Sequence, residues 1–384
     1  MQNFRFHNPT LLDFGKGTIA NLSTLAPKDA RILMTYGGGS IRQNGVYDQV
    51  KAALKDHEVI EFGGIEPNPH YETCMKAVAL ACQEDITFLL SVGGGSTLDG
   101  TKFIAAAIPF LGDDPWDILA KGAPVTKAVP LGCVLTLPAT GSESNGFSVV
   151  SRMEPLEKRA FFSEHVYPQF SILDPETSYT LPPRQTANGV VDAFAHVLEQ
   201  YLTYEVNAPL QDRQAEAVLL TLIEEGPKAL ENPTDYDARA NVMWSATQAL
   251  AGAIACGVPQ DWATHMMGHE LTALYGLDHA QTLAVVFPAT MQYCRGAKKS
   301  KLLKYADRVW GLRDGSEDAR IDAAIAKTEE FFRSLGVKTR LAEYGVTEGI
   351  GRVGQRIAAR GEKIGEHAKL GREDIDGILA LCAK

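Results

Sequence analysis

No CxxC pair occurs anywhere in this chain, no apolar run reaches membrane-spanning length, and acidic residues outnumber basic ones. Each absence removes a class of function. The six cysteines, Cys74, Cys82, Cys133, Cys256, Cys294 and Cys382, lie scattered among mostly apolar neighbours. That usage argues against a thiolate metal site or a CxxC redox centre and points to reduced, structural cysteines in a cytoplasmic protein. The N-terminal stretch MQNFRFHNPTLLDFGKG carries polar residues where a signal peptide needs an apolar core. No later segment approaches the roughly 20 apolar residues of a membrane helix, so no membrane partner is expected. With 37 basic against 47 acidic residues and a net charge of −10, the chain is a poor match for nucleic acid or an anionic lipid surface. A small molecule is the partner left.

What is present is an ordinary globular composition, 45% hydrophobic and 22% charged over 384 residues, which is long enough for two domains. Compact apolar runs at Arg31–Tyr36, Ile86–Val92 and Leu131–Leu137 read as strands, two of them ending in glycine clusters. Helical patterns at about 45–55, Tyr71–Gln83 and 99–107 lie between them. Strand, glycine turn and helix in repetition predict a parallel α/β sheet. Around Tyr179–Arg184 the pattern changes to long amphipathic helices, at 210–230, 238–256, 262–275, 299–310 and 318–335. The expectation is an α/β dinucleotide-binding domain over residues 1–181 and an all-helical domain over 182–384.

Gly93, Gly94, Gly95 and Ser96 follow one predicted strand and open a helix at Thr97-Leu98-Asp99. Glycines let the backbone approach a phosphate, and the free N–H groups of a helix start point at the anion. The GxGxxG pattern fails at Leu98, and a tight turn with a Ser or Thr cap has the same appearance. Gly37, Gly38, Gly39 and Ser40 end another strand. An NAD site usually places an acidic residue there for the ribose hydroxyls, whereas this chain reads Thr35-Tyr36-Gly37. Space and donors stand where a carboxylate would be, which favours a 2′-phosphate beside Ser40 and Arg42; a bare glycine loop would read the same.

Four of the nine histidines and one carboxylate gather in two segments. Asp192 and His196 share a helical face in Gly189–Gln200, and His265 and His269 repeat the i, i+4 spacing in a Met-rich helix. His279 follows a helix break at Gly276-Leu277-Asp278. Carboxylate and imidazole without thiolate suit one divalent metal, Zn²⁺ or Fe²⁺. The HExxH protease pattern begins at His269-Glu270 but fails at Ala273.

With these residues in view, the chain resembles the iron-dependent (group III) alcohol dehydrogenase family over essentially its whole length, most of all its bacterial NADPH-dependent aldehyde reductase and butanol dehydrogenase branch. Asp174-(x7)-Pro182-(x9)-Asp192-(x6)-Glu199 and His265-(x3)-His269-(x9)-His279-Ala280 look like the family's two signatures. The resemblance implies a dehydroquinate synthase-like fold, an N-terminal dinucleotide-binding α/β domain with a parallel sheet and a helical C-terminal domain, with metal and nicotinamide in the cleft between. It implies Asp192, His196, His265 and His279 as ligands, and His269 as a catalytic non-ligand near the nicotinamide. Gly93 to Ser96 and Asp99 would hold the pyrophosphate and ribose of NADP, while Thr136, Thr140, Ser142, Lys158 and Tyr179 would face the cofactor. Read alone, Thr136 to Asn145 is a polar turn, Lys158 a surface lysine and Tyr179 a core tyrosine. The resemblance also implies a homodimer.

The expected activity is hydride transfer between NADP(H) and short-chain primary alcohols or aldehydes, chiefly aldehyde reduction. A glycerol dehydrogenase-like polyol oxidoreductase and a non-catalytic NADP- and metal-binding sensor are the alternatives. A dehydroquinate synthase-type activity would need basic residues near the metal helix, where Trp262, Met266, Met267 and Leu271 suggest an apolar pocket instead.

Overall fold

The computed structural model describes residues 1–384. Its first half runs β1 (Leu11–Phe14), α1 (Leu22–Leu25), β2 (Arg31–Tyr36), α2 (Val46–Ala53), β3 (Glu58–Phe62), α3 (Tyr71–Gln83), β4 (Phe88–Gly94), α4 (Gly95–Ala107) and α5 (Asp117–Ala120). It continues through β5 (Leu131–Leu137), the antiparallel pair β6 (Phe147–Met153) and β7 (Leu156–Phe162), and β8 (Phe170–Leu173). Six strands form one parallel sheet in the order β1-β8-β5-β4-β2-β3. Both its faces are covered, which is why its strands are continuous apolar runs rather than alternating ones. Ile32, Met34, Phe88 and Leu90 pack on one face with Leu22, Val46 and Val50. Their sequence neighbours Leu33 and Leu89 pack on the other face with Ala77, Phe103 and Ile104.

Because the strands are parallel, the carboxyl ends of β2, β4 and β5 share one edge. β3 lies on one side of β2 and β4 on the other. This reversal of strand order opens a crevice at the carboxyl ends of β2 and β4, the place where open α/β sheets bind ligands.

The second half is helical: α6 (Pro183–Tyr201), α7 (Pro209–Glu231), α8 (Tyr236–Leu250), α9 (Ala263–Tyr275), α10 (His279–Tyr293), α11 (Lys299–Arg308), α12 (Glu317–Ser334), α13 (Arg352–Ala359) and α14 (Arg372–Leu381). One core here joins Met267 and Leu271 of α9 to Val285 and Val286 of α10, Val353 and Ile357 of α13, and Ile375 and Ile378 of α14.

The chain forms two compact units, residues 7–181 with 233–247, and residues 1–6 with 182–232 and 248–384. This differs from a plain division into 1–181 and 182–384 in two places, each with a packing cause. Met243 of α8 lies in one cluster with Leu135 and Leu173, so that helix joins the sheet unit. The backbone N–H of Gln2 donates to the Gly257 carbonyl at 2.9 Å, so the first residues join the helical unit. Helix α10 is an element that periodicity did not reveal: its sequence HAQTLAVVFPATMQY is apolar nearly all round and carries Pro288 inside it. Helix α4 starts at Gly95, two residues before the Thr97 expected from the glycine turn, and β4 runs through Gly94. No helix is long and apolar enough to cross a membrane.

Candidate functional site

Helix α6 organises the polar chemistry of the helical unit. Arg184, Asn188, Asp192, His196 and Glu199 follow one another at steps of four, four, four and three, so they form a single stripe along the helix. Val190, Val191, Phe194, Val197 and Leu198 on its other faces are fully buried. From the stripe, Asn188 and Arg184 reach Asp278 at the start of α10, and Glu199 reaches the start of α9.

Asp192, His265 and His279 each bring one ligand atom to a common point, all within 4.8 Å of one another. Asp192 Oδ1 lies 3.7 Å from His279 Nε2 and 3.8 Å from His196 Nδ1. The His196 ring stacks on His265 with centroids 4.7 Å apart. Three of the four expected ligands therefore share one cluster of donor atoms, and His196 adjoins it through Asp192 and His265. One carboxylate with imidazoles, free of thiolate and buried except at half-buried His279, fits a divalent cation of borderline softness. Burial pushes the His196 imidazole down to about 4, the Asp192 charge opposing, which keeps the ring neutral as a ligand must be. His269 sits one turn beyond His265 on α9, half-buried, its ring centroid 5.3 Å from that of His279.

Helix starts place two of these histidines. His279 is the first residue of α10, whose cap Asp278 makes a reciprocal capping box with Gln281. Asn188 and Arg184 of α6 hold the Asp278 carboxylate at 2.9 and 3.0 Å. At the start of α9, Glu199 accepts from the backbone N–H of Trp262 at 3.0 Å and of His265 at 3.1 Å, and its Oε1 lies 3.1 Å from His265 Nδ1. Burial and then the Asp261 charge push the Glu199 carboxyl well up, against the pull of those N–H donors and of Lys298. Lys298 Nζ fills its three donor positions with the Leu202 carbonyl, Asp261 Oδ2 and Glu366 Oε1. Of the residues expected to form an apolar pocket, Met267 and Leu271 are instead fully buried core. They fall on the face of α9 that packs on α10, α13 and α14. Trp262 and Met266 stay partly exposed, and the Trp262 ring stands 5.1 Å from that of His265.

In the α/β unit the glycine segments come together at the carboxyl edge of the sheet. A Cβ on Gly93 would stand 2.6 Å from Thr97 Oγ1, and one on Gly37 3.5 Å from the same atom, so Thr97 borders both segments. A Cβ on Gly95 would meet Thr140 Oγ1 at 2.4 Å, and one on Gly94 the Leu137 side chain at 2.9 Å. No side chain fits at Gly93 to Gly95, which leaves open backbone where β4 turns directly into α4, a cradle suited to a phosphate.

Lys158 donates to Asn68 Oδ1 at 2.8 Å, and the Asn68 N–H to Ser96 Oγ at 3.2 Å, so Asn68 connects two expected site residues. Asp99 accepts from Ser142 Oγ at 2.7 Å and from the Val149 N–H at 3.0 Å, which commits its carboxylate to shaping the loop after β5. Lys102 grips that loop from below, donating to Ser142, Asn145 and Phe147 carbonyls at 2.6, 2.7 and 2.9 Å. Thr136 is buried, and Tyr179 is half-buried near Glu176 and Lys16. Gly38 and Ser40 are exposed, and Arg42 donates to Tyr36 Oη and Glu61 Oε2, both at 2.8 Å, with its guanidinium over the Tyr47 ring.

Glu199, Asp278, Asn68 and Lys102 were not among the expected site residues. Glu199 stands on the Asp192 and His196 face and Asp278 has the capping-box spacing to Gln281, whereas Asn68 and Lys102 act through contacts distant in sequence.

Two family models match: iron-containing alcohol dehydrogenase over residues 9–175 and the C-terminal region of Fe-containing alcohol dehydrogenases over 186–381. The NADPH-dependent aldehyde reductase YqhD of Escherichia coli is 60% identical over 96% of this chain and 94% of its own. The NADH-dependent butanol dehydrogenase A of Clostridium acetobutylicum is 39% identical over 90% of each chain. The crystal structure of E. coli K-12 YqhD superposes with a TM-score of 0.98, covering 100% of this chain and 99% of that one at 57% identity.

Proposed function

The chain belongs to the iron-containing alcohol dehydrogenase family, and we propose from that premise that it transfers a hydride between NADP(H) and short-chain primary alcohols and aldehydes, acting chiefly as an aldehyde reductase. The observation that carries this reading is the convergence of Asp192, His265 and His279, with ligand atoms within 4.8 Å of one another. The 60% identity to a protein named for NADPH-dependent aldehyde reduction supports the substrate class and the cofactor.

In this reading Asp192, His196, His265 and His279 hold one Zn²⁺ or Fe²⁺. A divalent cation bound there supplies Lewis acidity, polarising a carbonyl oxygen and stabilising negative charge on it. His269, whose ring neighbours that of His279, stays off the cation and relays a proton between solvent and the alcohol oxygen. The backbone of Gly93 to Ser96 receives the pyrophosphate. Thr136, Thr140, Ser142, Lys158 and Tyr179 face the cofactor, Asp99 fixing the Ser142 loop. The absence of a carboxylate at Gly37 to Ser40 admits the 2′-phosphate of NADP. Trp262 and Met266 offer apolar surface beside the metal residues, suited to an alkyl chain.

The test is a panel of aldehydes and alcohols, including butanal and glycerol, assayed with NADPH and NADH on protein of measured metal content. Preferred turnover of butanal with NADPH is expected. Glycerol turnover above that of butanal would replace this reading with a polyol oxidoreductase, and tight NADP binding without any turnover would replace it with a sensor.

A further inference from the structure

Glu199, at 2% exposure, is more buried than any of the metal residues, yet it is not one of the cluster of donor atoms. Its carboxylate does two things at once. Oε2 accepts the N–H of Trp262 and Oε1 the N–H of His265, the cap and third positions of α9, so a side chain from α6 caps the start of another helix. Oε1 also meets His265 Nδ1 at 3.1 Å. The backbone of Trp262 is left-handed, φ 65°, an unusual conformation for a bulky residue, at the point where its N–H meets this carboxylate. Glu199, Asp261 and Lys298 line a common cavity of about 10 Å³, room for about one water.

An imidazole in the metal-binding state is neutral and carries one N–H. A carboxylate oxygen at Nδ1 selects the tautomer with the proton on Nδ1, which leaves the Nε2 lone pair for a cation. We propose that Glu199 is the positioning residue of the metal centre: it fixes the tautomer and orientation of His265 and, by capping α9, ties that orientation to the helix that also carries Asp192. The proposal rests on the metal reading above. It explains why a carboxylate rather than an amide stands at this position. The amide of Gln has one acceptor oxygen for three N–H groups, and its NH₂ would either oppose an N–H or, if turned toward His265, stabilise the wrong tautomer.

The test compares wild type, Glu199→Gln and a stability control, Ile357→Val, a fully buried residue in the core of the same unit. Zn²⁺ affinity is measured by chelator competition, and the His265 tautomer by ¹⁵N NMR of histidine-labelled protein, assigned with His265→Gln. Glu199→Gln is expected to bind Zn²⁺ about 10–100-fold more weakly, while Ile357→Val binds as wild type at a comparable loss of Tm. Wild-type His265 is expected as the Nδ1–H tautomer, a readout that stands even if Glu199→Gln does not fold. A Zn²⁺ affinity in Glu199→Gln within a factor of about three of wild type, equal losses in both variants, or an Nε2–H tautomer in wild type would overturn the proposal and leave the metal site intact. Wild-type protein that takes up no Zn²⁺ or Fe²⁺ would remove the metal reading itself and this proposal with it.

Discussion

A carboxylate introduced at Gly38 tests the cofactor reading most directly, because the position is exposed and the substitution strains nothing. A Cβ there meets no atom within 4 Å, and φ is not left-handed as it is at Gly39, 96°. Gly38→Asp is therefore expected to leave Tm within about 1 °C, so that its effect falls on the cofactor. The 2′-phosphate of NADPH carries close to two negative charges, and a carboxylate about 5 Å away opposes it by roughly 1–3 kcal/mol per unit charge between bulk-water and surface dielectrics. Gly38 and Ser40 are both exposed, which selects the low end, about 2 kcal/mol in all. Hydrogen bonds from the ribose hydroxyls of NADH to the new carboxylate add about 1 kcal/mol in its favour. The combined swing of about 3 kcal/mol changes the ratio of kcat/KM for NADPH and NADH by roughly a hundredfold. Wild type itself is expected to prefer NADPH by at least about a hundredfold, from two charge-assisted bonds of roughly 1.5–3 kcal/mol each. Steady-state assays with both cofactors on one short-chain aldehyde give the ratio. Raising the salt from 0.05 to 0.5 M should restore part of the lost NADPH activity, since the repulsion is screened. Equal kcat/KM for the two cofactors in wild type, or an unchanged ratio in Gly38→Asp, would refute the reasoning.

His279→Ala should lower bound metal and abolish turnover while leaving NADPH affinity nearly intact; full activity with metal retained would remove His279 from the ligand set. His269→Ala should keep its metal, measured by elemental analysis, but lose rate by about 10²–10⁴-fold with an altered pH profile; metal loss like that of the His279 variant would make it a ligand. Gly95→Ala should weaken NADPH binding and cost about 1–3 kcal/mol in denaturant stability, because its methyl must displace Thr140 Oγ1 from 2.4 Å. Lys102→Met should destabilise by about 2–4 kcal/mol, since it strands the buried Ser142 and Asn145 carbonyls; urea midpoints equal to wild type would contradict its role under the loop.

Periodicity and glycine placement made β2, β4 and β5 and the helices α2, α3 and α4 between them readable from the chain alone, whereas β1, β3, β6, β7 and β8 were not among the runs read. Strands β2, β4 and β5 are continuous apolar runs because helices cover both faces of the sheet, and the glycines stand where β4 turns into α4 without room for a Cβ. The spacing of Asp192 and His196, and of His265 and His269, likewise followed from one turn of helix. Helix α10 was not legible, because a segment apolar on every side has no period to read and Pro288 argues against a helix. Nor was the membership of residues 233–247, whose helical pattern is indifferent to which core receives it; contact of Met243 with Leu135 and Leu173 decided that. The sequence by itself determined which residue types could bind a metal and on which helical faces they stand. Tertiary structure decided which atoms meet. Only when α6 is laid against the starts of α9 and α10 do Asp192, His265 and His279 share a point, Asn188 and Arg184 reach the Asp278 carboxylate, and Glu199 reach across 66 residues of sequence to His265 Nδ1. Contacts of that range carry no local signature, because a carboxylate on a buried helix reads the same whether its partner is a cap, a ligand or another charge.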